Sequence, residues 1–584
     1  MKTENSSYIP ENWRFYIVYG IAITLFLLVG GRLFFLTVVD KDFLQNQGDI
    51  RAERTETIPA TRGMILDRRG EPLAVSTPTW TVIANPKKLW TQEFGEGKTA
   101  ETEIKRLADV MGVGSSWLQE RFETNRSKSF MYLRRQLPPH EADAIMNAAV
   151  VGVTRRKEYK RFYPAGEVAS HVVGFTNVDD SGQEGIELAY DQALQGTAGE
   201  RSFVKDLRGN VIRTIGEDVP EQSGENIELS IDLRLQYLAY RELKAAVTEH
   251  RATSASAVIL DVQTGEILAM VNQPSFNPND RSTLEYDQLR NRAVIDLFEP
   301  GSTVKPLTLS AALSSGQYTT ESKIDTSPGY IRFGRQTIRD LGNYGKIDLE
   351  TLLVKSSNVA TSRIALSLPQ DAVWNMYYKL GIGSLVGIGF PGEVTGVLPV
   401  HTRWRPAETA TLAYGYGLSL STLQLAQAYM VLANGGYKVP VSIFKQDGRP
   451  QGEQVIPRQV AKDVIKMMEA VVERGSGKAA KIPGYRVAGK TGTVHKVGSN
   501  GYEYDKYISL FAGVAPATNP RLAMVVMVND AKGREYYGGE VSAPVFSRVM
   551  EGAMTILNIS PDLPDGLREV RLDKKTSQRV VLGG

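Results

Sequence analysis

The sequence predicts an α+β protein. Its parts are one N-terminal transmembrane helix, a mixed α/β domain, and a larger domain with a five-stranded antiparallel sheet flanked by helices. Three observations lead there. One long apolar run lies near the start, from Phe15 to Val39. Two hairpin patterns, near 254–271 and 507–528, stand far apart in the chain. Between them lie helix-period apolar stretches and a further strand pattern from Val487 to Thr493.

Composition narrows the function. The chain has 584 residues, enough for two or three domains. A hydrophobic share of 42% is ordinary for a protein with a real core. A net charge of +3 argues against nucleic acid as the main partner. With no cysteine, thiol catalysis and Cys-metal sites are excluded. His140, His171, His250, His401 and His495 are scattered, none spaced as a metal pair, so neither a metal nor a cofactor is expected.

Residues 1–14 are polar and read as a cytoplasmic tail. The anchor, 15–39, contains Arg32 near its far end, where a long side chain can reach the headgroups. It is long enough to span a bilayer, for which about 20 residues suffice. It is long for a signal peptide, and no clear Ala-x-Ala site follows, so it is expected to stay uncleaved. Lysine and arginine counts at its two ends do not set its orientation.

Residues 40–226 read as short strands and loops, the pedestal. They include Arg62-Gly63-Met64-Ile65-Leu66-Asp67-Arg68-Arg69-Gly70, Tyr163-Pro164, His171 to Gly174, and Gly185-Ile186-Glu187. Glycines suit turns there, and the Arg/Asp/Glu pairs suit salt bridges between segments. His171 is expected as a hydrogen-bonded core residue.

Residues 227–565 form the larger domain. Asp232 can N-cap a helix from Leu233 to about Val247. Leu420 to Leu432 reads as a core helix ending at Asn434-Gly435-Gly436. Residues 566–584 are a charged tail, expected to be loose or removed.

The chemistry centres on Glu299-Pro300-Gly301-Ser302-Thr303-Val304-Lys305-Pro306-Leu307, at the start of an apolar helix that Gly316 can end. Pro306 fits the first turn, where no intrahelical bond is lost. Ser302 and Lys305, at i and i+3, share a face. A neutral Lys305 can take the serine proton, and the helix start favours the developing negative charge. Alone this pattern is weak: Ser202 to Lys205 and Ser442 to Lys445 repeat it. Its weight comes from order. Ser356-Ser357-Asn358 and then Lys490-Thr491-Gly492-Thr493 follow it, completing a trio shared by penicillin-binding proteins and class A β-lactamases. Ser275 to Asn277 precedes the serine and is a decoy.

Together with Arg62-Gly63 to Ala74, Tyr163-Pro164 to Gly174, Ala413-Tyr414-Gly415-Tyr416-Gly417 and Ala488 to Thr493, nearly the whole chain resembles the class B penicillin-binding proteins. The length, the surroundings of Lys490, and Ala543-Pro544-Val545-Phe546 resemble the division type of Gram-negative bacteria more than the elongation type. The resemblance implies a penicillin-binding transpeptidase domain after the pedestal, facing the periplasm at the septum. It also implies a division complex with FtsW, FtsQ, FtsL, FtsB and FtsN. The substrates implied are donor and acceptor stem peptides of peptidoglycan, with β-lactams as covalent inhibitors.

On that reading Ser302 attacks the penultimate D-Ala carbonyl and Lys305 is the base, depressed by burial and by Lys490. Ser356 relays the proton. Asn358 holds Lys305 and the substrate backbone, and Lys490 adds positive potential. Thr491, Gly492 and Thr493 form the strand on which an extended substrate lies. The backbone N–H groups of Ser302 and Thr493 form the oxyanion hole. Tyr507, Tyr536 and Tyr537 are read either as an apolar wall of the pocket or as sheet packing. A class A β-lactamase adds Glu-x-x-x-Asn for deacylation, but here Glu408 is followed by Thr409-Ala410-Thr411-Leu412. Three competing readings stand beside this one: an elongation-type transpeptidase, a non-enzymatic β-lactam-binding or division scaffold, and a hydrolase of the same fold.

Overall fold

The computed structural model describes residues 13–43, 53–95, 98–205, 211–401, 403–498 and 501–563. The polar start through Glu11-Asn12 and the charged tail lie outside them. The chain divides into two compact units, 1–60 with 196–223, and 61–195 with 224–584.

In the first unit, helix α1 spans Trp13–Phe34 and continues as a π turn, Phe35–Val39. Within the 27 residues Trp13–Val39 an 18-residue window has a mean hydropathy of 2.2, and the helix is long and apolar enough to cross a membrane. Thr24 and Thr37 donate their hydroxyls to carbonyls four residues back, at 2.8 and 2.7 Å, so neither presents a free polar group. The same unit contains an antiparallel sheet of Glu53–Ile58, Gly199–Lys205 and Val211–Val219.

In the second unit, the long strand Pro72–Ala84 pairs with Ile65–Leu66, Met131–Leu137 and Val153–Phe162. Helices Ala100–Met111 and Ser115–Thr124 cover it through Ile104, Leu107, Leu118 and Phe122. The Arg62-Gly63 and Gly185-Ile186-Glu187 strings meet inside the protein. Glu187 takes Arg62 Nε at 2.7 Å and Arg161 Nε at 2.6 Å, all three side chains at most 1% exposed. Buried charges so paired are costly to break singly. His171 is buried, its Nε2 2.8 Å from the Gln288 carbonyl, and burial lowers its pKa to about 4.

The larger sheet comprises β1 (Ser254–Asp261), β2 (Ile267–Gln273), β3 (Ala488–Gly498), β4 (Gly501–Ala515) and β5 (Leu522–Asn529). All pairings are antiparallel, in the order β2-β1-β5-β4-β3. The helices that matter for the site are α2 (Leu233–Glu249), α3 (Lys305–Ser314), α4 (Leu349–Lys355), α5 (Asn358–Ser367), α6 (Thr422–Ala433), α7 (Arg458–Arg474) and α8 (Gly538–Ile556). Alternation along each strand feeds two cores. Ile259, Phe511 and Val526 join α2 and α8, while Val258, Leu510 and Val525 join α3, α6 and α7. The strands are therefore apolar on both faces, the pattern of a covered sheet. Asp232 N-caps α2 by accepting from Arg234 N, and Ser421 caps α6.

Candidate active site

The nucleophile candidate sits on a strained turn. Residues Gly301–Val304 form a 3₁₀ turn that runs into α3, with Pro306 in the first turn of that helix. Gly301 has φ +53°, and a Cβ there would stand 2.3 Å from Val494 Cγ1 on β3. Gly415 crosses the same turn at φ +90°, where a Cβ would stand 2.2 Å from the Gly301 carbonyl oxygen. Gly301 N donates to Gly415 O at 3.1 Å. Both positions require glycine, for conformation and for space.

Ser356, Ser357 and Asn358 lie between α4 and α5. Ser356 ends α4 in the left-handed region, φ +56° and ψ +42°, which aims its hydroxyl at Ser302. Ser356 Oγ donates to Ser302 Oγ at 3.0 Å. Lys305 Nζ reaches Ser356 O at 2.5 Å, Asn358 Oδ1 at 2.8 Å and Ser356 Oγ at 3.2 Å. The motif is held from behind by Asp340. Its carboxylate accepts from Ser357 Oγ at 2.5 Å, Asn358 N at 2.6 Å and Val359 N at 3.0 Å. Ser357 also caps α5 through Ala360 N.

The third segment is β3, an edge strand of the sheet. A Cβ on Gly492 would stand 2.9 Å from Thr303 Cγ2 and 3.1 Å from Pro300 O, so the strand lies directly on the nucleophile turn. Lys490 is fully buried and donates to the Thr491 carbonyl at 3.1 Å. Thr491 Oγ1 lies 2.5 Å from Ser476 Oγ, just past the end of α7. Thr493 Oγ1 accepts from Gly538 N at 3.0 Å, which ties the start of α8 to the strand.

Electrostatics follow from burial. Lys305 is fully buried, and burial, then the Lys490 charge, hold its amine well below the ordinary lysine range against the opposing pull of Asp340. Burial alone pulls Lys490 down to about 7. Two ammonium groups this deep cannot both keep a proton cheaply.

All five predicted catalytic residues therefore fall on one site. Ser302, Lys305, Ser356 and Asn358 are joined by hydrogen bonds, and Lys490 bonds within its own strand beside them. The three tyrosines form a separate row. Tyr507 stacks on Tyr536 with centroids 4.3 Å apart, and Tyr536 meets Tyr537 at 4.5 Å. Tyr537 is 53% exposed, while Tyr507 and Tyr536 are partly buried. Its link to the site is the Gly538 N bond to Thr493. Sequence reasoning missed Asp340 and Ser476. Neither lies in a motif, and no spacing pointed to them. Glu408 accepts from Arg405 N at 2.9 Å as a helix cap.

Comparison with known proteins agrees with this geometry. Residues 255–551 match the penicillin-binding protein transpeptidase domain, and residues 57–229 match the penicillin-binding protein dimerisation domain. The chain belongs to the class B penicillin-binding proteins. Among these proteins it is 43% identical to the peptidoglycan D,D-transpeptidase FtsI of Escherichia coli strain K12, over 94% of this chain and 93% of that one. It is 40% identical to the probable peptidoglycan D,D-transpeptidase PbpC of Pseudomonas aeruginosa, over 94% and 96%. The crystal structure of a peptidoglycan synthetase from Bifidobacterium adolescentis superposes with a TM-score of 0.69 at 26% identity, covering 88% of this chain and 98% of that one. A penicillin-binding protein of this class thus supplies the expected fold, a transpeptidase domain with an antiparallel sheet behind an apolar N-terminal helix.

Proposed function

We propose that this class B penicillin-binding protein cross-links septal peptidoglycan during cell division. The chain is a peptidoglycan D,D-transpeptidase of the serine type. The observation that supports the mechanism is the Ser356 hydroxyl, which lies between Ser302 Oγ and Lys305 Nζ.

Ser302 is the nucleophile on the penultimate D-Ala carbonyl of the donor stem. A neutral Lys305 donates to Ser356 O and Asn358 Oδ1; for attack the Ser356 hydroxyl turns its proton from Ser302 Oγ to the lysine lone pair and accepts the Ser302 proton in its place. The proton then reaches the departing D-Ala amine through Ser356. The Ser302 and Thr493 N–H groups hold the oxyanion. Lys490 and the Thr491 and Thr493 hydroxyls attract the substrate carboxylate, and the open edge of β3 accepts the stem as an added strand. Gly492 lets that strand approach the serine, and Tyr507, Tyr536 and Tyr537 wall the far side. The amine of a second stem then takes the acyl group, and β-lactams acylate the same serine.

The division role rests on the similarity to FtsI, whose name carries it. On this reading residues 40–226 are the pedestal and 227–565 the catalytic domain. That domain faces the periplasm, α1 anchors it in the inner membrane, and FtsW, FtsQ, FtsL, FtsB and FtsN are its partners. Two experiments test the reading. Purified full-length protein supplied with donor and acceptor stems should form cross-linked dimer, and D-Ala release without dimer would overturn it. Depletion in the source bacterium should give filaments, whereas rounded cells would assign the protein to elongation.

A further inference from the structure

Three residues before the nucleophile, Glu299 is a half-buried carboxylate without a cation. Among the described residues no lysine, arginine or histidine pairs with it. Its contacts are neutral. Gly417 N donates at 2.8 Å, and Tyr502 Oη donates at 2.9 and 3.1 Å. Tyr502 belongs to β4, near the tip of the hairpin that β3 begins, opposite Val497. Tyr416 faces Tyr502 with centroids 6.1 Å apart, and Tyr414 faces Tyr416 at 5.4 Å. Burial raises the Glu299 pKa, opposed by those same hydrogen bonds, and burial, with the Glu299 charge adding to it, raises all three tyrosines. Tyr502 is 41% exposed, so the cluster opens to solvent.

A half-buried carboxylate with no cation and an open side is the arrangement that attracts an ammonium group. Next to Ser302 the side chains are basic, Lys305 and Lys490, and the Asp340 carboxylate there is taken up by Ser357 Oγ and the Asn358 and Val359 N–H groups. The donor brings a carboxylate, which those lysines suit. The acceptor brings an amine, which is protonated at neutral pH. Three residues of chain span at most about 11 Å, so Glu299 lies within a stem side chain's reach of Ser302.

We propose that Glu299, beside Tyr416 and Tyr502, is the docking site for the acceptor's ammonium group, and so a specificity-determining residue for transpeptidation over hydrolysis. This rests on the transpeptidase reading above.

The test uses full-length protein in detergent, a D-alanyl thioester as donor, and D-alanine or methanol as acceptor. Glu299→Gln keeps the shape and one acceptor oxygen, which can still take Gly417 N and Tyr502 Oη, but removes the charge. It should raise the half-saturating concentration of D-alanine at least tenfold. Transfer to methanol, an uncharged nucleophile, and acylation by fluorescent penicillin should change less than threefold. Tyr502→Phe, which leaves the ring and removes the hydroxyl, should keep the preference for D-alanine. An unchanged D-alanine requirement in Glu299→Gln would overturn the inference. So would an equal loss with D-alanine, methanol and penicillin, which would make Glu299 a brace for the Ser302 turn. Wild-type protein that hydrolyses the donor and never aminolyses it would overturn the transpeptidase reading as well.

Discussion

Ser356 Oγ stands 3.0 Å from Ser302 Oγ, and Lys305 reaches the nucleophile through that second hydroxyl. Lys305 and Ser302 are neighbours in the chain, yet the hydrogen bonds that link them run through a residue from another helix end. Its geometry depends on one left-handed residue and one carboxylate behind it.

Replacing Ser302 with alanine should abolish covalent labelling by penicillin. Mass spectrometry of the wild-type protein should place the adduct on Ser302, and acylation of the variant should fall by more than about a thousandfold. The wild-type adduct should survive desalting, because Glu408 caps a helix instead of activating water.

The acylation rate should depend on a deprotonated lysine. Because burial and Lys490 hold Lys305 low, the rate should rise with pH and level off well before an ordinary lysine loses its proton. Stopped-flow acylation against pH measures this. A rate still climbing through the ordinary lysine range would contradict the assignment.

Lys490 links the site to stability. In the fold its pKa is about 7, and in the unfolded chain it is that of an ordinary lysine. Unfolding therefore takes up a proton between those values, so stability from this group rises with pH across that window and is flat below about 7. Lys490→Met should melt higher at pH 7, by on the order of a few kcal/mol, and lose that slope. Thermal melts at pH 7 and pH 9 compare the two proteins.

Asp340→Ala should release the Ser356–Asn358 turn. Three hydrogen bonds to a carboxylate are lost, so stability should fall by roughly 2–4 kcal/mol. Acylation should slow about a hundredfold, since a shift near 1 Å in a catalytic group has that effect. Urea melts and penicillin labelling rates separate the two effects.

Gly415→Ala should be severe, because Gly415 is buried against the nucleophile turn. Its φ of +90° and the 2.2 Å approach to Gly301 O leave no room for a methyl group. A loss of about 2–4 kcal/mol is expected, with acylation reduced more than about tenfold because Gly301 precedes the serine. Retained wild-type rates would mean that the turn tolerates displacement.

The sequence by itself determined what is local or periodic: α1 from its apolar run, the strands from apolar runs bounded by turn residues, the cap at Asp232, and the trio of motifs from their order. Each is a property of neighbouring residues, so it is written along the chain. Only tertiary structure decided which of those residues touch. Asp340 and Ser476 gained their roles from segments distant in sequence, the tyrosine row proved half-exposed, and Glu299 was left without a cation among tyrosines from two other segments. The Lys305 amine is held low only because the fold removed water from it and set Lys490 beside it, since a pKa belongs to an environment and not to a residue type.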